Sequence, residues 1–433
     1  MNRLAVVAVQ EEENQLLCIA KTENSTGKVE ADAVKEAIDN WGISDGVIAC
    51  GFDTTSSNTG INIGGCVLLQ QLLNRQLLWL ACRHHIPELI LKAAFQSLFG
   101  KTKGPVEVLF SKLKSSWKSL DLSNLSYPPT PACYRSAVDS LLEFLDDRLL
   151  PDNLDHLTRG DYKEFLELAK VCLGGSVERK KSYTYQLSRP GADHHARWMS
   201  KCLYILKFSL LRHQMNSLDS QTKKKIKTMA SFILYVYIKY WFRSPSLSRA
   251  ATDDLQMFQD LTTFKRVDKT VSAAALKVLR RHTWYLTEDS IPIALFNEDL
   301  DEEEQNDLAK TIGELPSTEL EIRKPTLPTI TLRSKIPDFV GPRSILIFNL
   351  LKIDHTFLLE DDWRETSEYT TMKTALANLH PVNDSAERAL SMATTYNGRI
   401  TKNEESFQQL MLVVESHRKK YGFKTKSDLK KLF

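Results

Sequence analysis

The sequence predicts a mixed α/β fold in which a short strand-containing region is followed by a long helical one. Two patterns predict it: β-rich and helical segments alternate over the first 99 residues, and strand-like patterns then disappear from about residue 100 to about residue 281. The 433-residue composition, with 42% hydrophobic and 26% charged residues, is that of a globular chain. Collagen-like, mucin-like and wholly disordered classes are excluded.

The first elements are a hairpin and a helix. Leu4–Val9 and Gln15–Ala20 are β-rich runs joined by a polar, acidic link, which predicts two antiparallel strands. Apolar residues then recur at helical spacing from Ala33 to Trp41 and stop at Gly42, a residue suited to the left-handed position after a helix.

An alternating strand–helix pattern follows. The continuous apolar run Gly46–Phe52 is typical of a central strand buried on both faces, and it stops at Asp53. A helix is expected through Val67–Leu73, a strand over Gln76–Ala81 and a helix over Ile86–Leu98. This order predicts a sheet with parallel members.

The middle of the chain is predicted to be helical. Expected helices are Ser136–Leu150, Tyr162–Leu173, Trp198–Leu211 and Lys223–Phe242. The apolar stretch Met229–Phe242 is shorter than the roughly 20 residues a membrane helix needs, so we expect a buried helix and no membrane partner. An acidic block at 298–304 and the prolines after it predict a linker near 298–342.

Targeting and cysteine content give further expectations. The first residues carry no secretory pattern, because Leu4–Val9 is followed by Gln10 and glutamates rather than by a small-residue cleavage site. The 7 cysteines are odd in number and thinly spread, which is typical of reduced thiols in a cytosolic or nuclear protein.

Three short motifs could carry chemistry. Asp53 follows a buried strand, where open α/β sheets place ligands, although it could equally be a loop-capping aspartate. Cys82 and His85 follow the next strand with the spacing of half a zinc site, although a lone pair is a weak signal. Arg197–Trp198 could contact a phosphate and a base, or be a surface arginine beside a core tryptophan.

The order of these motifs resembles that of the hAT superfamily transposases. The resemblance rests on Phe52–Gly60, Cys82-x-x-His85, Arg197–Trp198 and a final Asp384–Ser391 segment, which resembles the Ser-x-Glu-Arg-x-x-Ser signature of the family. It spans essentially residues 1–425. The fold it implies is an RNase H-like core interrupted by a large helical insertion.

The resemblance also implies an activity and its residues. The family cleaves and joins DNA with three carboxylates that hold divalent metal ions, usually Mg²⁺. Asp53 resembles the second acid and Glu387 the third, both as metal ligands. Cys82 and His85 resemble residues close to the scissile DNA, Trp198 the aromatic that stacks an extruded base, and Arg197 its phosphate-side neighbour.

One part of the family pattern is missing. The first acid should end a strand ahead of the hairpin, but Asp32, Asp39 and Asp45 lie in a predicted helix or turn, and the N-terminal zinc finger of the family is absent. We therefore expect an N-terminally truncated, inactive transposase-like chain without the first core strand. The alternative is a transposon-derived module that binds DNA or dimerises without catalysis, and an accidental motif match is the remote third reading.

The expected organisation has four parts: residues 1–99 as the N-terminal part of the core, 100–343 as the insertion, 344–425 as the C-terminal part of the core with a dimerisation region, and 426–433 as a basic tail. A helix is expected at Ser406–Tyr421, and this segment resembles the dimerisation region of the family, which implies a homo-oligomer. The resemblance implies nuclear localisation, with a cytoplasmic location as the alternative. Weak, salt-sensitive DNA binding is expected from three basic clusters, Arg179–Lys181, Lys223–Lys227 and Arg418–Lys431, although each cluster alone is more often a solvated face.

Overall fold

The structure, a computed structural model, describes residues 2–10, 13–101, 108–155, 160–177, 187–191 and 198–382. Its first elements are the predicted hairpin and helix. Strand β1 (Asn2–Gln10) pairs antiparallel with β2 (Glu13–Thr22), and helix α1 (Gly27–Asn40) follows. Gly42 has a φ of 64°, so the predicted left-handed residue after this helix is confirmed.

The second strand pair is parallel, as predicted. Strand β3 (Ala49–Phe52) leads through α2 (Ser56–Thr59) and α3 (Gly65–Leu72) to β4 (Leu78–Ala81), and α4 (His85–Phe99) follows. The prediction that β3 is buried on both faces was wrong, because its residues are mostly half-buried and Gly51 is exposed. The strand is also shorter than the apolar run, since Ser44–Gly46 forms a 3₁₀ turn.

The four strands form two separate two-stranded sheets, β1–β2 and β3–β4. Helix α1 packs against both, because its Val34 contacts the hydrophobic cluster that contains Val6 and Leu17 of the hairpin and also the cluster against which Cys50 of β3 packs. In the part of the chain that the structure describes, β1 and β3 are each paired along one edge only. The mixed α and β class is therefore confirmed, while the RNase H-like arrangement stays a prediction.

The remainder is helical. The helices are α5 (Val108–Ser116), α6 (Val138–Arg148), α7 (Pro151–Asp155), α8 (Gly160–Cys172), α9 (Trp198–Leu211), α10 (Ser220–Phe232), α11 (Ile238–Arg243), α12 (Ala250–Thr263), α13 (Lys269–Leu279), α14 (Glu302–Gly313), α15 (Leu346–Leu351) and α16 (Ser367–Ala377). One hydrophobic core runs from Phe52 to Leu376 and joins residues from all three large predicted segments.

The apolar stretch Met229–Phe242 lies inside this core, as predicted, with Lys239 as its half-buried member. It is not one regular helix, however. A π-helical turn at Ile233–Tyr237 separates α10 from α11. No helix among the described residues is long and apolar enough to cross a membrane.

The acidic block is not a linker. Asp301 caps α14 by accepting hydrogen bonds from the amides of Glu303 and Glu304, so this part of the 298–342 prediction was wrong. Acidic side chains in the first turn oppose the positive end of the helix dipole, which explains why a run of glutamates begins a helix here. The chain from 316 to 335 is extended and turn-like.

Candidate functional site

The carboxyl ends of β3 and β4 bring two of the sequence-predicted site residues together. Phe52 and Ala81 are register partners, and the amide of the next residue, Cys82, donates a 2.7 Å hydrogen bond to the Phe52 carbonyl. Asp53 and Cys82 therefore leave neighbouring strands side by side. This common end of the two strands is called the carboxyl edge below.

Asp53 organises the loop that follows β3. Its Oδ1 accepts hydrogen bonds from the Thr55 amide at 3.2 Å, from the Thr55 hydroxyl at 2.7 Å and from the Asn58 side-chain amide at 2.7 Å. This is the loop-capping geometry that the sequence left open beside a ligand-binding role. One carboxylate oxygen of Asp53 is thus committed to holding the loop.

The loop is held against the first turn of α1. A Cβ atom at Gly27 would lie 2.3 Å from the carbonyl oxygen of Ile63 and 2.5 Å from that of Ser57. A Cβ atom at Gly64 would lie 2.4 Å from the Gly60 nitrogen. Glycine is therefore required for the close approach of the loop and the helix.

Glu30 is a second carboxylate near Asp53, and the sequence reasoning missed it. Burial, and then the negative charge of Asp53, raise the pKa of Glu30. Its Oε2 atom is buried and has no hydrogen-bond partner among the described residues. Glu30 sits on a helix rather than after a strand, so no local sequence signal pointed to it.

The four residues after β4 differ in exposure. The Cys82 side chain is buried, as are Arg83 and His84, and His84 stacks on Trp241 with ring centroids 4.1 Å apart. His85 is half-buried at the start of α4. Of the predicted pair Cys82 and His85, the histidine is therefore the one that a ligand could reach.

Arg83 links the carboxyl edge to the helical region. Its guanidinium donates to the Ser246 carbonyl at 2.8 Å and forms an ion pair with Asp253 at 3.1 Å, with both charged side chains buried. Its own carbonyl accepts from the Ser244 hydroxyl at 3.1 Å. Its amide donates to the Pro381 carbonyl at 2.8 Å, which brings the end of the described chain to the same place.

A small cavity lies beside this network. It has a volume of about 10 Å³ and is lined by Arg83, Tyr240, Ser244 and Asp254, among others. The Oδ2 atom of Asp254 is buried without a hydrogen-bond partner in the described part of the protein, and burial raises the pKa of Asp254 to about 7. The space is about that of one water molecule.

The structure does not show the other predicted site residues at the carboxyl edge. Arg197 and Glu387 lie outside the described residues, as do the helix expected at Ser406–Tyr421 and two basic clusters, Arg179–Lys181 and Arg418–Lys431. Trp198 is the first residue of α9, and nothing is described of its side chain. Helix α9 packs near α4 through Lys201, whose Nζ lies 4.5 Å from the Phe95 ring centroid.

The described residues do not fit a metal ion. Within the described ranges, no group of three or more histidine, cysteine, aspartate or glutamate side chains is arranged to hold one. Asp53 uses one of its two carboxylate oxygens to hold its loop, and Glu30 lies on helix α1 rather than at the end of a strand. Neither the half zinc site at Cys82 and His85 nor the Mg²⁺ implied by the resemblance gains support.

Comparison with known proteins places no constraint on these assignments. No protein-family model matches the chain, and neither the curated proteins nor the solved structures include a significant match.

Proposed function

We propose that the chain is a transposase-derived protein of the hAT type that binds DNA at the carboxyl edge and does not cleave it. The observation that best supports this proposal is that residues far apart in the sequence lie close together at the carboxyl edge. Asp53 and Cys82 are joined through the backbone of the two strands, and Arg83 is hydrogen-bonded to Pro381, six residues before Glu387 in the sequence. The segments that carry the first two motifs therefore meet, and Pro381, the described residue three positions before the final motif in the sequence, is bonded to the same place.

The loss of cleavage follows from the carboxylates. Phosphodiester transfer by this family requires three acids around divalent metal ions, and the motif match supplies only Asp53 and Glu387. Glu30 is close enough to Asp53 for the charge of Asp53 to raise its pKa, but it lies on helix α1 and not at a strand end, where the missing acid of the family would lie. Without a third carboxylate at a strand end, bound metal ions would be under-coordinated, and activity would fall by orders of magnitude.

DNA binding needs fewer groups than cleavage. The exposed and half-buried lysines at the start of α10 (Lys223, Lys224, Lys225 and Lys227) supply positive charge for phosphates. His85 is the half-buried member of the Cys-x-x-His motif at the carboxyl edge. With these residues, we expect the protein to contact the DNA backbone independently of the base sequence.

The test is a titration of fluorescent duplex DNA by anisotropy at several salt concentrations. We expect binding that weakens steeply with salt, and a several-fold loss for His85→Ala compared with the control His213→Ala, which changes an exposed histidine of the helical region. Circular dichroism would check that both variants are folded. Absence of binding at low salt would refute DNA contact and leave dimerisation without DNA as the function.

A nicking assay tests the second half of the proposal. Supercoiled plasmid incubated with the protein and Mg²⁺ should stay supercoiled. Nicking that disappears in Asp53→Ala would overturn the claim that the protein is inactive, whereas nicking that persists in this variant would indicate a contaminating nuclease and leave the claim standing.

A further inference from the structure

A group of arginines lies beside the carboxyl edge, and Asp253 holds three of them together. Its carboxylate pairs with Arg83 at 3.1 Å and with Arg243 at 3.7 Å. Arg249 lies one helical turn before Asp253 at the start of α12, where its carbonyl accepts a 2.8 Å hydrogen bond from the Asp253 amide. Residues four apart on a helix lie on the same face, so Arg249 is next to the shared carboxylate.

The ring of Phe144 brings in a fourth arginine. The Cζ atom of Arg148, at the end of α6, lies 5.5 Å from the centroid of this ring, and that of Arg243, at the end of α11, lies 5.4 Å from it. Both guanidinium groups therefore make cation–π contacts with one aromatic side chain. The term arginine cluster is used below for Arg83, Arg148, Arg243 and Arg249.

Three members of the arginine cluster can be reached from solvent. The side chains of Arg148, Arg243 and Arg249 are 37%, 28% and 26% exposed, whereas that of Arg83 is 4% exposed. The Nε atoms of Arg148 and Arg249 are buried and have no hydrogen-bond partner in the part of the chain that the structure describes. Such donors cost free energy until an acceptor meets them, so the cluster has hydrogen-bonding capacity to offer a ligand.

The carboxylates around the cluster do not balance its charge. Among the described residues, the four guanidinium groups share three ion-pair carboxylates, namely the buried Asp253 and the 58% exposed Asp147 and Asp299. Burial, and then the positive charge of Arg243, lower the pKa of Arg249, as expected where cations crowd. Exposed ion pairs contribute little to stability, so an incoming anion can displace Asp147 and Asp299 at small cost.

A cavity of about 490 Å³ adjoins the cluster. Arg249 lies in its wall together with Lys373, Ser246 and Ser248, and the hydroxyl oxygens of the two serines are 3.4 Å apart. Each hydroxyl can donate a hydrogen bond to an anion. The two acidic residues of the wall are the exposed ion-pair partners of Arg249 and Lys373. The volume is within the range of small-ligand sites, so the cavity has room for the group that carries an anion.

We propose that Arg148, Arg243 and Arg249 form a binding site for a phosphate group. The planar guanidinium donates two parallel hydrogen bonds to neighbouring phosphate oxygens, which gives arginine its preference for phosphate over other anions of one charge. The three side chains come from the end of α6, the end of α11 and the start of α12. A phosphate between them would relieve the repulsion of the arginines and supply the missing acceptors.

The phosphate could belong to the DNA backbone or to a small phosphorylated compound. Arg83 joins the cluster to the end of β4, so DNA bound at the carboxyl edge would reach the cluster, and the DNA backbone is the source that we expect. This choice of source rests on the proposed function. The phosphate site itself does not, because it depends only on the side chains of the cluster.

The first arm of the test measures DNA binding by fluorescence anisotropy. Arg148→Gln with Arg249→Gln should lower the affinity for duplex DNA at least about tenfold at low salt, because two phosphate contacts are lost. The control Lys310→Gln with Arg333→Gln removes the same two charges at exposed positions elsewhere and should have a smaller effect. Circular dichroism would check that both double variants are folded.

The second arm uses inorganic phosphate as the probe. Thermal denaturation is compared in sodium phosphate and in sodium chloride of equal ionic strength, because a ligand that binds the folded state raises the Tm. A rise in wild type and in the control, but not in Arg148→Gln with Arg249→Gln, supports the phosphate site. If DNA binding is unchanged in that double variant, the same rise assigns the site to small phosphorylated compounds.

A gain-of-affinity variant keeps the test decisive if the double variant fails to fold. Asp299→Asn removes the exposed competitor for Arg249, so it should bind duplex DNA, or inorganic phosphate where only that binds, several-fold more tightly than wild type. The control Asp307→Asn makes the same change in net charge at an exposed position of α14. Equal affinities of these two variants would contradict the role of Arg249.

The failure of this inference is distinct from the failure of the proposed function. If wild type binds DNA but Arg148→Gln with Arg249→Gln binds it as tightly as its control does, and inorganic phosphate leaves the Tm unchanged, the proposed function stands and the phosphate site is refuted. If wild type does not bind DNA at all, the proposed function is refuted, and the measurements in inorganic phosphate decide on the site alone.

Discussion

The amide of Arg83 donates a 2.8 Å hydrogen bond to the carbonyl of Pro381, although the two residues come from opposite parts of the sequence. The same arginine is paired with Asp253 through its side chain at 3.1 Å. Its main chain and its side chain thus hold the end of β4, the start of α12 and the last described residues in one place.

The ion pair of Arg83 predicts strong destabilisation on truncation. Arg83→Ala would leave the buried Asp253 with the more distant Arg243, at 3.7 Å, as its remaining ion-pair partner within 4 Å among the described residues, so we expect a loss of about 3–5 kcal/mol in the free energy of unfolding. The control Arg243→Ala removes a more exposed partner of the same carboxylate and should cost about 1 kcal/mol or less. Urea denaturation would measure both.

A double variant tests whether the pair itself carries this effect. Arg83→Ala with Asp253→Asn removes both charges, so it should be less destabilised than the sum of the two single variants by roughly 1 kcal/mol or more. Strictly additive losses would mean that the hydrogen bond to Ser246, rather than the charge pair, accounts for the role of Arg83.

The packing of the Asp53 loop on α1 predicts a position-specific effect of a single methyl group. Gly27→Ala places a Cβ atom 2.3 Å from the Ile63 carbonyl oxygen, so the loop and the helix must separate, at a cost of about 1–3 kcal/mol. The control Gly46→Ala has no atom within 4 Å of the new Cβ and should be nearly neutral. Thermal denaturation of the two variants would decide, and equal Tm values would contradict the close approach.

The buried Asp254 predicts stability that falls with rising pH. Its pKa is about 7 in the folded protein, against about 4 for an unfolded aspartate, so the folded state keeps a proton that the unfolded state has released. This contribution is fully present below pH about 4 and is lost by about 1.4 kcal/mol per pH unit up to pH about 7. Asp254→Asn resembles the protonated form and should be more stable than wild type by roughly 2–4 kcal/mol at pH 8.

The effect of His282 on the pH dependence of stability is opposite to that of Asp254. A comparison of wild type with Asp254→Asn cancels the effect of His282. Burial lowers the pKa of His282 to about 4, so the folded state loses stability as the pH falls from about 6.5 to 4. Because wild type and Asp254→Asn share this histidine, the difference between their unfolding curves reports Asp254 alone. A difference that does not grow between pH 4 and 7 would refute the assignment. The surface variant Asp307→Asn serves as the control.

The lysines at the start of α10 predict a salt-dependent loss of DNA binding. Lys224→Glu with Lys227→Glu should lower affinity for duplex DNA at least about tenfold and reduce the dependence of affinity on salt by roughly one unit of log–log slope per lost contact. The control Lys310→Glu with Arg333→Glu makes the same change in net charge at two exposed positions elsewhere. If both double variants lose the same affinity for DNA, the effect is due to the overall charge of the protein and not to the lysines of α10.

Local patterns in the sequence predicted most of the local structure. The β1–β2 hairpin, the end of α1 at Gly42 and the parallel β3–β4 pair depend on periodicity and turn residues, which a sequence displays directly. The predicted burial of β3 was wrong because an apolar run does not reveal how many strands or helices pack around the strand. The acidic block was misassigned because the capping role of Asp301 was overlooked.

The candidate site was predicted only in part, for a related reason. Asp53, Cys82 and His85 follow strands and could be found from position alone. The position of Glu30 near Asp53 and the network of Arg83 depend on elements that meet only in three dimensions. The spacing of residues along the sequence does not predict such tertiary contacts.

The single-edge pairing of β3 has a consequence for amide hydrogen exchange. Its ladder to β4 extends over only four residue pairs, from Ala49–Leu78 to Phe52–Ala81, whereas the helical region is held by a continuous core. The backbone of β3 can therefore open in local fluctuations that leave the helices intact, and its amides should exchange with solvent before those of α9 or α10. A ligand that covers the free edge would slow that exchange, so protection of β3 reports occupancy of the neighbouring site without any assay of activity.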